Sequence, residues 1–223
     1  MIYPRIIAHR CGGALTPENT LAGLRLAKRL GCRGVEFDAM LAADGVPVLI
    51  HDETLQRTTS GQGRVADMSF AQLAGLDAGG RHHPAFAAEP LPTLDEALRL
   101  CAELGLWANV EIKPSAGQEA ETGRAVARHA AAAEGKLLLS SFSAAALGAA
   151  ADEAAQLPRA ILVEAIPADW RDRIAAAEAI AVHCAARALT AEALAAVRGA
   201  GLPLACYTVN RRDAAERLFA TGV

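Results

Sequence analysis

The chain has 223 residues, with 22 Lys and Arg against 25 Asp and Glu, for a formal charge of −3. This near balance, with no basic cluster, argues against a surface built for nucleic acid or an anionic membrane. Although 52% of the residues are apolar, no run approaches the ~20 that a membrane span needs. Five scattered cysteines without a CxxC pair speak against a disulfide framework or zinc cluster and for a reducing compartment. The opening Met1-Ile2-Tyr3-Pro4-Arg5 lacks the pattern of a secretion signal, so a cytoplasmic location is expected.

Strand-like and helix-like stretches alternate along nearly the whole chain, the pattern of a parallel sheet covered by helices. Short apolar runs predict strands at 5–9, 34–38, 108–113, 136–141, 159–164, 179–184 and 202–209. The first helix, 19–30, follows Thr16-Pro17-Glu18, a cap residue with Pro at the first helical position. A second, 93–104, opens with Thr93 and Glu96 at capping-box spacing. Alanine-rich helices follow at 118–133, 143–155, 169–177, 191–200 and 212–220. The reading is one α/β domain over 1–223, a (β/α) barrel of the TIM type. Seven strands are countable; the eighth, which would close the barrel, is expected where the chain stops at Gly222-Val223.

One segment breaks the rhythm. More than fifty residues separate the second strand from the helix at Thr93, far beyond an ordinary loop. It opens with Asp44-Gly45 between two apolar runs, a strong hairpin signal. The rest is rich in Gly, Pro and polar residues, so 44–92 is read as a small subdomain inserted on the barrel rim.

Strand parity places the polar residues. Residues i and i+2 face the same side, so Glu36 pairs with Asp38 and Glu111 with Lys113 at strand carboxyl ends. His9 and Arg10 end the first strand, and barrel active sites gather at this end. If Asp44 and Gly45 are the two turn residues, Asp38 stands opposite His51. Three carboxylates without a nearby cysteine suit a hard cation such as Mg²⁺ or Ca²⁺. Two flanking histidines suit paired acid–base chemistry on an anionic substrate, with Arg10 and Lys113 to hold a phosphate. The alternative is a structural salt-bridge network with no chemistry. Glu18 and Asn19 are read as helix starters, with a supporting role toward Arg10 or His9 as the alternative; His183, at the end of its strand, is read as a structural histidine in preference to one that reaches the site.

With these residues placed, the chain resembles the glycerophosphodiester phosphodiesterase family, related in mechanism to the phosphatidylinositol-specific phospholipases C. The resemblance rests on Ala8-His9-Arg10, Pro17-Glu18-Asn19-Thr20, Val35-Glu36-Phe37-Asp38, Ile50-His51-Asp52, Asn109-Val110-Glu111-Ile112-Lys113, Ser141-Phe142 and Tyr207-Thr208-Val209-Asn210. Arg57-Thr58-Thr59-Ser60-Gly61 and Leu76-Asp77-Ala78-Gly79 match within the insert. It implies a distorted TIM barrel with a small inserted subdomain. One divalent cation, Mg²⁺ with Ca²⁺ as the alternative, would sit on Glu36, Asp38 and Glu111. His9 and His51 would be the acid–base pair, and Arg10 and Lys113 would hold the phosphate. The reaction would release sn-glycerol 3-phosphate and an alcohol such as choline, ethanolamine or glycerol. Phe142 and Tyr207 either wall the pocket or are buried barrel aromatics.

Three departures from the family pattern stand out. Cys11 takes a place usually held by Gly, where a larger thiol could shift the loop carrying Arg10. Tyr207 replaces the usual Trp, and the resemblance implies a further strand and short helix beyond Gly222-Val223, where the given sequence stops. Two rival functions share the site: a phosphodiesterase acting on a lysophospholipid or inositol-type lipid, and a barrel that binds glycerophosphodiesters without turnover.

Overall fold

Successive residues of each central strand part to opposite faces of one curled sheet. The computed structural model describes residues 3–223. Its parallel path runs β1 (Ile7–Ala8), β2 (Gly34–Leu41), β4 (Trp107–Ile112), β5 (Leu137–Ser141), β6 (Arg159–Val163), β7 (Ala181–Ala185) and β8 (Leu204–Tyr207). The short strand β3 (Pro47–Leu49) lies off this path, antiparallel to β2. Helices α1 (Leu21–Arg29), α3 (Leu94–Leu104), α4 (Glu119–Ala132), α5 (Ala144–Glu153), α6 (Trp170–Ala176), α7 (Ala191–Gly199) and α8 (Arg212–Thr221) alternate with the strands. The one-turn helix α2 (Phe70–Leu73) belongs to the long β3–α3 connection. Among the described residues β1 and β8 are each paired on one side only, and both border one cavity. The architecture is thus a seven-stranded parallel barrel-like sheet with helices outside.

Parity divides the sheet into two chemistries. Val35, Phe37 and Ala39 of β2 and Ala108, Val110 and Ile112 of β4 join the helix-side core with Leu24, Leu98 and Leu147. Each of the larger side chains contributes ~2 kcal/mol by leaving water. The alternate residues face inward and are layered. Trp107, Leu138, Ala160 and Ala181, at or near the starts of their strands, form an apolar floor with Tyr3 and Ile7 packed on it. Glu36, Asp38 and Glu111 lie further along the same inward face, toward the carboxyl ends.

The long connection packs on a second apolar cluster, in which Met40 of β2, Ala42, Val48 of β3 and Ile50 meet Leu55, Val65, Leu73 and Leu91. Two local expectations need correction here. The hairpin register pairs Ala39 with Leu49 and Met40 with Val48, one residue off the register that sets Asp38 opposite His51. The turn is longer than two residues: Ala42 donates to the Val46 carbonyl at 3.0 Å, and Gly45 takes φ 78°. Asp44 is drawn away to accept from the Phe70 backbone N–H at 3.0 Å, which fixes the start of α2. Helix α1 also starts later than Thr16-Pro17 suggests, capped by Thr20, whose hydroxyl accepts from Gly23 N at 3.3 Å. Asn19 precedes it in the left-handed region at φ 57°, a conformation its short polar side chain tolerates.

Two helix glycines test how closely the outer layer is packed. A Cβ on Gly123 of α4 would lie 2.2 Å from the Ala146 carbonyl oxygen of α5, whereas one on Gly148 would meet nothing within 4 Å. Helix propensity favours Ala over Gly by ~1 kcal/mol at both positions. Gly148→Ala is therefore expected to raise stability by about that amount, and Gly123→Ala to lower it by ~1–3 kcal/mol through overpacking. Urea unfolding of the two variants measures both, and equal effects would contradict the α4–α5 packing.

Candidate active site

The site begins where β1 ends. Arg10 and Cys11 both adopt left-handed backbone, φ 49° and 71°, at a cost of ~1–2 kcal/mol each for an L-residue. This bend aims the Arg10 N–H at Glu36 Oε2 (2.8 Å) and the Cys11 N–H at the Glu36 carbonyl (2.7 Å). The left-handed angle at Cys11 is one a glycine would take without strain. The thiol is fully buried, and Gly23 leaves room for it: a Cβ there would fall 2.8 Å from Cys11 Cβ. Burial pushes the thiol pKa well up, so it stays neutral. Arg10 keeps its contacts with the acidic residues despite this substitution.

Strand register then assembles the carboxylates. Asp38 and Glu111 are direct neighbours across β2 and β4, and Glu36 stands beside Asn109. One oxygen from each of Glu36, Asp38 and Glu111 falls within a mutual 4.8 Å. Asp38 is almost wholly buried and is gripped by Asn19, whose Nδ2 donates at 2.9 Å and whose Oδ1 accepts from Asp38 N at 3.1 Å. Lys113 Nζ reaches Glu111 at 3.2 Å and Asp38 at 3.5 Å, and Arg10 Nε lies 3.9 Å from Asp38. Glu36 Oε1 is buried without a hydrogen-bond partner, and so is Arg10 Nε. Burial, then the charges of Asp38 and Glu111, drive the Glu36 pKa well above the usual carboxylate range. Glu111 is pushed up to about 7 by burial and by Asp38, against the pull of Lys113.

The imidazoles sit at the edge of this cluster. His9 Nε2 is 3.9 Å from Glu36 Oε2, and burial together with Arg10 lowers its pKa. His51 follows β3 and presents Nδ1 to Asp52 Oδ1 at 2.6 Å. Asp52 is in turn held far below the usual carboxylate range, chiefly by its hydrogen bonds to Arg57. Phe142, about half exposed, meets Tyr207 edge-to-face with ring centroids 6.0 Å apart, and Tyr207 Oη donates to the Val163 carbonyl at 2.8 Å. All nine residues singled out from the sequence line one cavity of about 870 Å³. His183 also borders it, but from the floor: it is buried, bonded to Tyr3 Oη at 3.1 Å, and its pKa is pushed down to about 4 by burial.

Three contacts around the cluster were not foreseen: Asn19 with Asp38, and Arg57 with Glu18 and with Asp52. Glu18 and Asn19 do not start a helix; they hold Arg10 (3.0 Å) and Asp38 respectively. Arg57, from the insert, bonds both Glu18 and Asp52. Asn19 carried a signal in retrospect, since Asn before a Thr cap tolerates left-handed backbone.

These features meet a known family. Residues 9–223 match the sequence profile of the glycerophosphoryl diester phosphodiesterase family. A glycerophosphodiester phosphodiesterase of Caldanaerobacter subterraneus is 32% identical over 98% of this chain and 90% of its own length. One from Bacillus subtilis is 30% identical over 97% of this chain and 80% of its own. Among solved structures, an Oleispira antarctica phosphodiesterase in complex with its product sn-glycerol-3-phosphate superposes with a TM-score of 0.95. It is 34% identical over 99% of this chain and 90% of that one. The chain belongs to the glycerophosphoryl diester phosphodiesterase family.

The raised carboxylates give a stability test. Folded Glu111 keeps a proton up to about pH 7 that the unfolded chain releases near 4.5. Its ionisation therefore costs stability as pH rises through that window. Removing the carboxylate should help where it is charged and do little where it is protonated. Glu111→Gln is expected to melt higher than wild type at pH 8 in EDTA and close to it at pH 5. Mg²⁺ should raise the wild-type melting temperature at pH 8 more than that of the variant. Scanning calorimetry at the two pH values decides; a variant less stable at pH 8 would contradict the crowding.

Proposed function

We propose that the protein hydrolyses glycerophosphodiesters to sn-glycerol 3-phosphate and an alcohol, with His9 and His51 as the acid–base pair. The observation that carries this reading is the meeting of two imidazoles and three carboxylates, Glu36 and Asp38 buried and Glu111 partly so, around one cavity. Family membership and the product complex of the Oleispira relative support it.

The donor set fits a hard divalent cation. It offers only carboxylate oxygens, one of them the unpartnered Glu36 Oε1, and lone carboxylates this close repel each other. Glu36, Asp38 and Glu111 would hold the ion, Mg²⁺ in our reading and Ca²⁺ as the alternative. When bound, such an ion supplies Lewis-acid charge to the phosphate oxygens.

The chain's own residues account for the remaining steps. Arg10 and Lys113 carry fixed positive charge beside the cluster and orient the phosphodiester. Because burial and Arg10 disfavour the charged form of His9, we assign His9 as the base. It takes the proton of the attacking water or glycerol 2-hydroxyl. His51, its Nδ1 hydrogen committed to Asp52, has Nε2 left to protonate the departing alkoxide, a poor leaving group without it. Phe142 and Tyr207 form the aromatic wall for the organic part of the substrate. Five free cysteines suit a reducing compartment, and we place the reaction in the cytoplasm. None of the helices among the described residues is long and apolar enough to cross a membrane.

Release of glycerol 3-phosphate from glycerophosphocholine is the direct assay. Turnover should stop on thorough EDTA treatment and return with Mg²⁺. His9→Ala and His51→Ala should each lose ~10²–10⁴-fold in kcat. The acid limb of kcat/KM should lie below the usual imidazole range, because His9 must lose its proton to act and its pKa is lowered. Either mutant turning over at the wild-type rate would refute the paired mechanism.

A further inference from the structure

Arg57 sits in the insert, five residues beyond Asp52, and its guanidinium is engaged on two edges at once. Nε donates to Asp52 Oδ2 at 2.5 Å and Nη2 to Asp52 Oδ1 at 3.0 Å. Nη1 donates to Glu18 Oε2 at 2.9 Å and Nη2 to Glu18 Oε1 at 2.8 Å. Each of these carboxylates has a second duty. Asp52 Oδ1 accepts from His51 Nδ1 at 2.6 Å, and Glu18 Oε1 accepts from Arg10 Nη1 at 3.0 Å. The result is an unbroken line, His51–Asp52–Arg57–Glu18–Arg10, across the rim from the insert to the β1–α1 loop.

The charges explain why this line needs an arginine at its centre. Asp52 and Glu18 both turn toward the same spot, and two carboxylates do so only around a cation. Burial works to raise Glu18, yet Arg57 and Arg10 hold its pKa below the ordinary value. A planar fork with donors on two edges can bind both carboxylates bidentately, and an ammonium group cannot. An isolated exposed ion pair contributes little because its side chains wander. Here four hydrogen bonds fix one group, and each carboxylate has a second partner, His51 for Asp52 and Arg10 for Glu18.

We infer that Arg57 is a positioning residue: through Asp52 it orients the His51 ring, and through Glu18 it sets the place of Arg10. The inference rests on the roles proposed above for His51 and Arg10. Its consequence is that the insert contributes beyond His51, through a side chain that does not itself line the cavity of the site. A lone Asp52 could swing to solvent and let the imidazole rotate, leaving Nε2 misaimed.

Kinetics on glycerophosphocholine with Mg²⁺ test this, using Arg57→Ala, Arg57→Lys, Asp52→Asn, the Arg57→Ala/Asp52→Asn double variant and His51→Ala. Arg57→Ala is expected to lose 10- to 100-fold in kcat with a melting temperature near wild type. Millimolar guanidinium should restore part of that loss. Arg57→Lys, which keeps the charge and loses the fork, should also fall at least several-fold in kcat; it serves as the test if the alanine variant does not fold. The double variant should be no slower than the slower single variant, since both break the same line. Wild-type kcat in Arg57→Ala or Arg57→Lys would overturn the inference. So would losses that multiply with those of Asp52→Asn, or a loss that follows melting temperature and ignores guanidinium. His51→Ala separates the two levels of argument. If it turns over normally, the acid–base reading itself fails; if it is inactive while Arg57→Ala is unimpaired, only the role of Arg57 fails.

Discussion

Three carboxylates held within 4.8 Å of one another and away from bulk water repel strongly, and the architecture around them answers that repulsion. Lys113 and Arg10 bring positive charge, Asn19 donates to Asp38, and the Arg10 backbone N–H donates to Glu36. The left-handed bend after β1 follows from this need, since without it the Arg10 N–H would not meet Glu36. Compensation is still incomplete: Glu36 Oε1 has no partner, and Glu36 and Glu111 hold their protons above the ordinary range. The divalent cation we propose would supply the charge that is missing there. That need for charge is the physical link we propose between the fold and the reaction on phosphate.

The inward face of the sheet keeps this charge cluster from destabilising the whole. Its lower layer is apolar, with Tyr3 packed on Trp107 at 5.2 Å between ring centroids. His183, the one ionisable side chain of β7 on that face, is kept neutral by burial. Charge is confined to the carboxyl ends of the strands, where loops and the cavity admit water. The two layers arise from position along each strand, and the separation of inner polar from outer apolar residues arises from parity.

The insert shows how a rim element becomes part of a site. A second apolar cluster joins Met40 of β2 to residues of the β3–α3 connection. The longer turn at Ala42–Val46 shifts the hairpin by one residue, yet His51, two residues beyond the end of β3, still lines the cavity. From that platform Asp52 and Arg57 extend back to Glu18 on the opposite loop.

The order of strands and helices was legible in the sequence, because apolar spacing and cap residues act over a few positions. The shared face of Glu36 with Asp38, and of Glu111 with Lys113, was legible for the same reason: parity is a property of the extended backbone itself. The hairpin register was not, since the turn takes a third residue while the Asp44 side chain bonds Phe70, twenty-six residues away in the chain. Nor were the grip of Asn19 on Asp38 and the bonds of Arg57 to Glu18, whose partners lie 19 and 39 residues apart. Local pattern determines which way a side chain leaves its own strand or helix. Which distant group it meets is decided only when the chain closes, because those contacts depend on the summed path of everything between them.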